Sequence, residues 1–181
     1  MVDLSLHILD IVQNSVRAGA TLIQIMIQED LETDLYKIVI EDNGSGMDEN
    51  TLSDVTNPFY TTRTTRKVGL GIPLLKQNAE MCGGKILLFS ELGKGTKLEV
   101  YFRHSHIDRP PQGDIASTVK ILIAGNPEID FEYHHAINRD GFHLTTLELK
   151  QTLDGIPLNE PEVLAFIESM INDNIKALNE T

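Results

Sequence analysis

Apolar residues recur along this chain with two periods, and the period changes where glycine or proline interrupts it. Over residues 3–18 the apolar positions Leu4, Ile8, Ile11 and Leu9, Val12, Val16 follow helical spacing, and Gly19 supplies a stop. Residues 21–29 predict a strand, with Leu22, Ile25 and Ile27 apolar, and residues 35–41 a second. The loop DNGSGMDEN follows, where two glycines and Asn43 allow positive φ. Asp48 is placed to cap a short helix near 48–55. Residues 56–68 show no period. A helix is predicted over 70–82, with Pro73 admissible only in its first turn and Gly83-Gly84 ending it. Strands at 85–90 and 96–103 are joined by ELGKG.

Pro110, Pro111 and Gly113 break the pattern within His104–Gly113 and mark a boundary there. Beyond it the periods predict a helix at 114–124, strands at 129–137 and near 142–146, and helices at 146–153 and 161–178. Pro161 suits the start of the last one. That helix sets Val163, Phe166, Ile167, Met170, Ile171, Ile175 and Leu178 at helical spacing, for core packing or for a partner helix. The expected division is residues 1–104 and an acidic C-terminal α/β extension, 105–181, with no role assigned.

Composition narrows the class. The chain has 181 residues, 41 % of them apolar, which is enough for a core and excludes disordered, collagen-like and coiled-coil readings. No apolar run is long enough to span a membrane. The opening MVDLSLHILD carries acids where a secretion signal needs bases, so a cytoplasmic location is expected. The single cysteine, Cys82, excludes an intramolecular disulfide and a cysteine-based zinc site, and reads as an inert buried thiol. The net charge of −12 argues against nucleic acid as a partner. Residues 105–181 hold 5 basic and 13 acidic residues, a solvated surface or a docking face for a basic partner. Arg63, Arg66 and Lys67 make a local basic spot that suits a small anion.

Four segments could carry chemistry. His7, Asp10 and Asn14 share one face of the first helix. That face is either a water-facing stripe or a carboxylate and an amide aimed into a pocket. EDNGSGM, Glu41–Met47, is either a plain turn or a loop whose glycines admit a flat ring, with Asp42 accepting from an exocyclic amine. TTRTTRKVGLGIPLL, Thr61–Leu75, brings hydroxyls and cations to a glycine pair at a helix start, which favours an anion. It lacks the spacing of a P-loop. GKGT, Gly93–Thr96, reads alone as a hairpin turn. His104 and His106 would share a strand face, and with His134, His135 and His143 they form either a metal cluster or ordinary strand and surface histidines.

Taken in order, these segments resemble the Bergerat-fold (GHKL) ATP-binding superfamily of gyrase, heat-shock chaperones, sensor histidine kinases and MutL-type repair ATPases. LHILDIVQNSVRAGAT resembles the N box, in its MutL-like wording; EDNGSGM resembles the G1 box, NPFYTTR the histidine-kinase F box, VGLGIPLLKQNAEMCGGKI the G2 box and its helix, and ELGKGTKLEVYF the G3 turn and strand. The resemblance covers residues 3–103. It implies an α/β two-layer sandwich, a mixed, mostly antiparallel sheet with helices on one face, plus the small extension. It implies ATP and Mg2+ as cofactors, with Asn14 on the magnesium and Asp42 on the adenine amine. Gly44 and Gly46 would lie under the adenine, Gly69 and Gly71 at the phosphates, and Thr96 near the adenine. Residues 56–68 would be the lid, offering Arg63, Arg66 and Lys67 to phosphate.

Three departures shape the functional expectation. The residue four before Asn14 is Asp10, one methylene shorter than the general-base Glu of hydrolytic members. A sensor kinase carries a His-bearing helical hairpin before the N box, and two residues precede the first helix here. His7 lies on the N-box helix and is not followed by an acid, as an acceptor His is. The gyrase and MutL second domain does not fit in the tail. The reading is therefore a histidine-kinase-like protein of signalling or regulation that binds Mg-ATP. It would phosphorylate a separate protein partner or hydrolyse ATP slowly, with Asp10 as base. The other reading is a non-enzymatic, anti-sigma-type ATP-gated switch. A MutL-like clamp is prompted by the N-box wording alone. No membrane partner is expected, and a homodimer is possible because the family often pairs.

Overall fold

The computed structural model describes residues 3–56 and 71–181. Along the chain, α1 (Leu4–Arg17) leads to β1 (Leu22–Asp30), β2 (Leu35–Asp42), α2 (Glu49–Thr56), α3 (Gly71–Met81), β3 (Lys85–Glu91) and β4 (Gly95–Arg103). Then come α4 (Ile115–Gly125), β5 (Asp130–Ile137), β6 (Asp140–Thr145), α5 (Thr146–Thr152) and α6 (Pro161–Asn179). Local signals explain several bounds. Asp3 accepts from the backbone of Leu6 at the start of α1, Asp48 from Thr51 before α2 and Asp114 from Ser117 before α4. Pro161 occupies the first turn of α6.

The six strands form one mixed sheet in the order β3-β4-β2-β1-β5-β6, antiparallel except for β1 with β5. The fold is thus α/β with a mixed sheet, as the sequence implied. Residues 105–181 do not stand apart from that sheet: β5 runs parallel to β1 over Leu22–Glu29, and β6 closes the edge. α4 packs between α1 and α6. The segment before α4 also ties down α1, because Leu4 and Ser5 donate to the carbonyls of Pro111 and Gln112, each at 2.9 Å. These carbonyls satisfy N–H groups that the first turn of any helix leaves without partners.

Burial alternates along the strands. On β5, Phe131, Tyr133, His135 and Ile137 are buried under the helices, and the residues between them point to the opposite face. The core runs from Ile8 and Val12 of α1 through Ile23, Ile25, Ile38 and Ile40 of the sheet to Leu122 of α4 and Ile171 of α6. Ile167 and Ile171 of α6 are fully buried while Phe166 is 60 % exposed, so most of the apolar stripe on α6 serves the core.

Two readings need correction. β4 ends at Arg103, so His104 and His106 share no strand face and lie in the turns that follow. The histidines also separate by strand alternation: His104 and His135 both bond Glu29, whereas His134 faces His143 across β5–β6. No trio of His, Cys, Asp or Glu side chains among the described residues is grouped to hold a metal. Cys82 is fully buried, and burial raises its thiol pKa. None of the helices among the described residues is long and apolar enough to cross a membrane.

Candidate functional site

A cavity of about 870 Å³ opens between the helices and one end of the sheet. Its floor is apolar and set by register: Leu88, Leu98 and Ile40 stand side by side on β3, β4 and β2. Ile11 of α1, Val55 of α2 and Ile72 of α3 form apolar walls. The rim is polar, with Asn14, Asp42, Ser45, Thr51 and Thr96. An apolar slot with a few convergent polar groups is the usual form of a small-molecule site.

Asp42 ends β2, directly opposite Thr96 of β4. One of its oxygens accepts from the Ser15 hydroxyl at 2.6 Å, the other from the Gly44 backbone at 2.9 Å. A carboxylate offers about four lone-pair directions, so Asp42 retains acceptor capacity beyond these two bonds. The Thr96 hydroxyl lies 2.9 Å from that of Ser90, which donates to the Gly95 carbonyl and accepts from Met47. With the Ser90 proton directed at Gly95, Thr96 donates to Ser90 and keeps its own lone pairs open.

The loop after Asp42 is shaped by contact as much as by backbone freedom. Gly46 has φ +65°, and a Cβ there would stand 2.0 Å from the Glu91 carbonyl oxygen. Gly44 does not need positive φ; a Cβ on it would stand 2.9 Å from Ala18. Asn43, which could adopt positive φ, does not do so. Its side chain acts as a clamp, accepting from Thr21 and Leu22 and donating to the Thr21 hydroxyl. Gly93 donates to the Ser45 carbonyl at 2.7 Å, so the β3–β4 hairpin holds the loop from the other side.

Asn14 is half-buried at the cavity edge, and its side-chain oxygen accepts from Arg17 at 3.1 Å. Asp10, one turn earlier, is not among the lining residues. It packs at the start of α3, where a Cβ on Gly71 would stand 2.5 Å from its carboxylate. Gly71 therefore admits the acid beside the helix N-terminus. His7, one turn earlier again, is not on a water-facing stripe: it is buried, 3.1 Å from the Asn78 side chain, and burial lowers its pKa. The three residues of one helix face thus serve three purposes. Arg63, Arg66, Lys67 and Gly69 lie outside the described residues.

Sequence reasoning passed over Ser15 and Ser90, and it gave Asn43 no clamping role. The only advance signal was position, since Ser15 adjoins Asn14 and Asn43 adjoins Asp42.

Comparison with known proteins decides the family. Residues 2–106 match the model of the histidine kinase-, DNA gyrase B- and HSP90-like ATPases. The chain belongs to this family. Membership implies ATP binding. A putative sensor protein of Shewanella frigidimarina is 33 % identical over 97 residues, 52 % of this chain and 15 % of that protein. Sporulation kinase E of Bacillus subtilis is 39 % identical over 70 residues, 39 % of this chain and 9 % of that one. The tetrathionate sensor histidine kinase TtrS of Salmonella typhimurium is 32 % identical over 113 residues, 60 % and 18 % of the two chains. The chain therefore spans less than a fifth of each of these relatives. The crystal structure of the N-terminal domain of a DNA repair protein superposes with a TM-score of 0.54 over 80 % of this chain and 52 % of that one. At 18 % identity this likeness concerns the fold alone.

Proposed function

We propose that this protein is a Mg-ATP-binding, histidine-kinase-like signalling component that acts on a separate protein. The reading is carried by Asp42, which stays an open acceptor between Ser15, Gly44 and Thr96 above an apolar slot. A purine in the slot would give its exocyclic amine to Asp42. Asn14, at the edge of the slot, would hold Mg2+ through its side-chain oxygen while the phosphates supply further oxygens. Few protein ligands are needed, because magnesium in phosphate sites keeps waters and substrate oxygens. Phosphoryl transfer asks mainly for positioning and charge neutralisation, which Asn14, the metal and the lid cations Arg63, Arg66 and Lys67 would share. Gly69 and Gly71 would free the phosphate-side backbone. The sensor and kinase names of the relatives support a role in signalling.

The packing of Asp10 favours a second reading beside it. A general base has to reach the attacking water. Asp10 is short and lies against Gly71, outside the cavity lining. That arrangement suits slow hydrolysis, or an ATP-gated switch of the anti-sigma type with no turnover.

Calorimetry with Mg-ATP, run beside phosphate release, tests both. Submillimolar binding is expected, and Asn14→Ala should abolish it; unchanged affinity in that variant removes Asn14 from the site. If phosphate release occurs, Asp10→Asn should stop it and spare binding. Release that continues in Asp10→Asn takes Asp10 out of the chemistry. Binding without release points to transfer onto a partner or to the switch. Partner capture that depends on ATP and survives Asp10→Asn selects the switch.

A further inference from the structure

The face of the sheet turned away from the helices carries a second constellation, unrelated to the nucleotide. Met26 on β1 stands opposite His134 on β5, and His134 opposite His143 on β6. Register and strand alternation place all three side chains on that one face. They line a common groove of about 410 Å³. The two imidazole rings lie 6.4 Å apart between centroids and are tilted by 55°.

His134 is distinguished among the histidines. Its Nδ1 is buried with no hydrogen-bond partner, the single buried side-chain polar atom so placed among the described residues. Buried polar atoms in native proteins nearly always have partners, so an orphan asks for an ion or a water. His135 and His104, by contrast, are engaged by Glu29, and His7 lies against Asn78. Burial, and then the neighbouring His143 and His135, lower the pKa of His134.

The carboxylates around the groove are already engaged. Glu132 accepts from Gln24, Glu99 from Tyr101 with Lys37 and Lys97 nearby, and Glu41 pairs with Lys97. Carboxylates with a partner still hold free lone pairs, but among the described residues none is grouped with the two histidines to hold a metal, so the donors that register gathers here are two imidazoles and a thioether. A structural zinc site needs four ligands and usually thiolate or several imidazoles. Calcium and magnesium need oxygen. Thioether with imidazole suits a soft ion of low coordination number.

We propose that Met26, His134 and His143 form a binding site for copper(I) on the open face of the sheet. The experiment is anaerobic titration of the full chain with copper(I) against a chromophoric copper(I) chelator, with reductant present. One ion per chain is expected to be withdrawn from the chelator. His143→Gln should weaken that affinity by about tenfold or more. Met26→Leu, which keeps the volume and removes the sulfur, should weaken it severalfold. Cys82→Ser should leave it unchanged. His143 and Met26 are on the open face, so circular dichroism and ATP affinity should match the parent in both variants. The methyl resonance of Met26 should shift on adding silver(I), a closed-shell mimic. Failure to compete with the chelator overturns the proposal, as does equal affinity in His143→Gln and Met26→Leu, or loss of the site in Cys82→Ser. Zinc(II) binding as tight as copper(I) and insensitive to Met26→Leu overturns the assignment to a soft ion.

Discussion

The two ends of the β1–β2 pair each hold a carboxylate under the helices, and the two acids have opposite fates. Glu29 is paired in register with Tyr36 at one end, and Asp42 with Ile23 at the other. Glu29 is 9 % exposed, and each of its oxygens receives an imidazole: His135 at 2.9 Å and His104 at 2.8 Å. The chain of contacts continues inward, with the Tyr133 hydroxyl 2.8 Å from His135 Nδ1. His135 can satisfy both contacts as a neutral ring, its Nε2–H on Glu29 and its Nδ1 accepting from Tyr133. Arg109 lies over the Tyr36 ring, and Tyr36 donates to Gln112, so the 104–112 segment is fastened at the same place. Asp42 has only a hydroxyl and a backbone N–H, and it borders a cavity. A carboxylate with both oxygens taken by imidazoles stitches a fold together. One that keeps lone pairs open at a cavity is available to a ligand.

The comparison breaks most forcefully at the chain level. A chain ended after His104 loses the β5 neighbour of β1, the α4 cover of α1 and the carbonyls that receive Leu4 and Ser5. It should lose its cooperative unfolding transition in urea. A truncated chain that unfolds cooperatively and binds ATP like the parent would make residues 1–104 a self-sufficient domain. Next, Glu29→Ala leaves two imidazoles without an acceptor. It should cost on the order of 3 kcal/mol of stability while leaving nucleotide affinity unchanged. Asp42→Asn should do the reverse. Losing a charged acceptor for the purine amine costs about 1.5–3 kcal/mol, roughly 10- to 150-fold in ATP affinity, with little change in the urea midpoint. If both variants move both quantities equally, the two ends are not independent.

Acidification gives the smallest and most graded test. The imidazoles facing Glu29 hold its pKa below the ordinary value despite burial, and Arg103 with Ser105 holds Asp34 at about 2. Carboxylates depressed in the folded state stabilise it above their unfolded pKa of about 4–4.5, and that contribution is lost as pH falls through the folded values. His7 and His134 are lowered mainly by burial. The unfolded chain therefore takes up those protons first, and stability starts to fall below about pH 6.5. Urea midpoints should decline in two stages, one below about pH 6.5 and one below about pH 4.5. His7→Gln should flatten the upper stage; an unaltered upper stage would remove His7 from it.

Much of the cavity end was legible because its residues are close in sequence. Asp42, Gly44 and Gly46 sit within five positions, and the helices and strands that carry them announce themselves by period. Asp42 and Thr96 fall opposite each other through the antiparallel register. The lid positions Arg63, Arg66, Lys67 and Gly69 are legible only as a motif. Ser15 was not legible as a partner of Asp42, because a serine on a helix face is ordinary until the strand that meets it is known.

The sequence by itself determined the periods, the caps, the breakers and the motif order, all of which depend on neighbours within a few residues. That was sufficient for the elements and for the family. It did not determine that β5 would join β1, that His135 would turn inward to Glu29, or that His134 would turn outward to His143 and Met26. Those outcomes depend on pairings of residues about a hundred positions apart along the chain. A one-residue change of register would exchange the two faces of β5, so only the assembled sheet decides which histidine meets which partner.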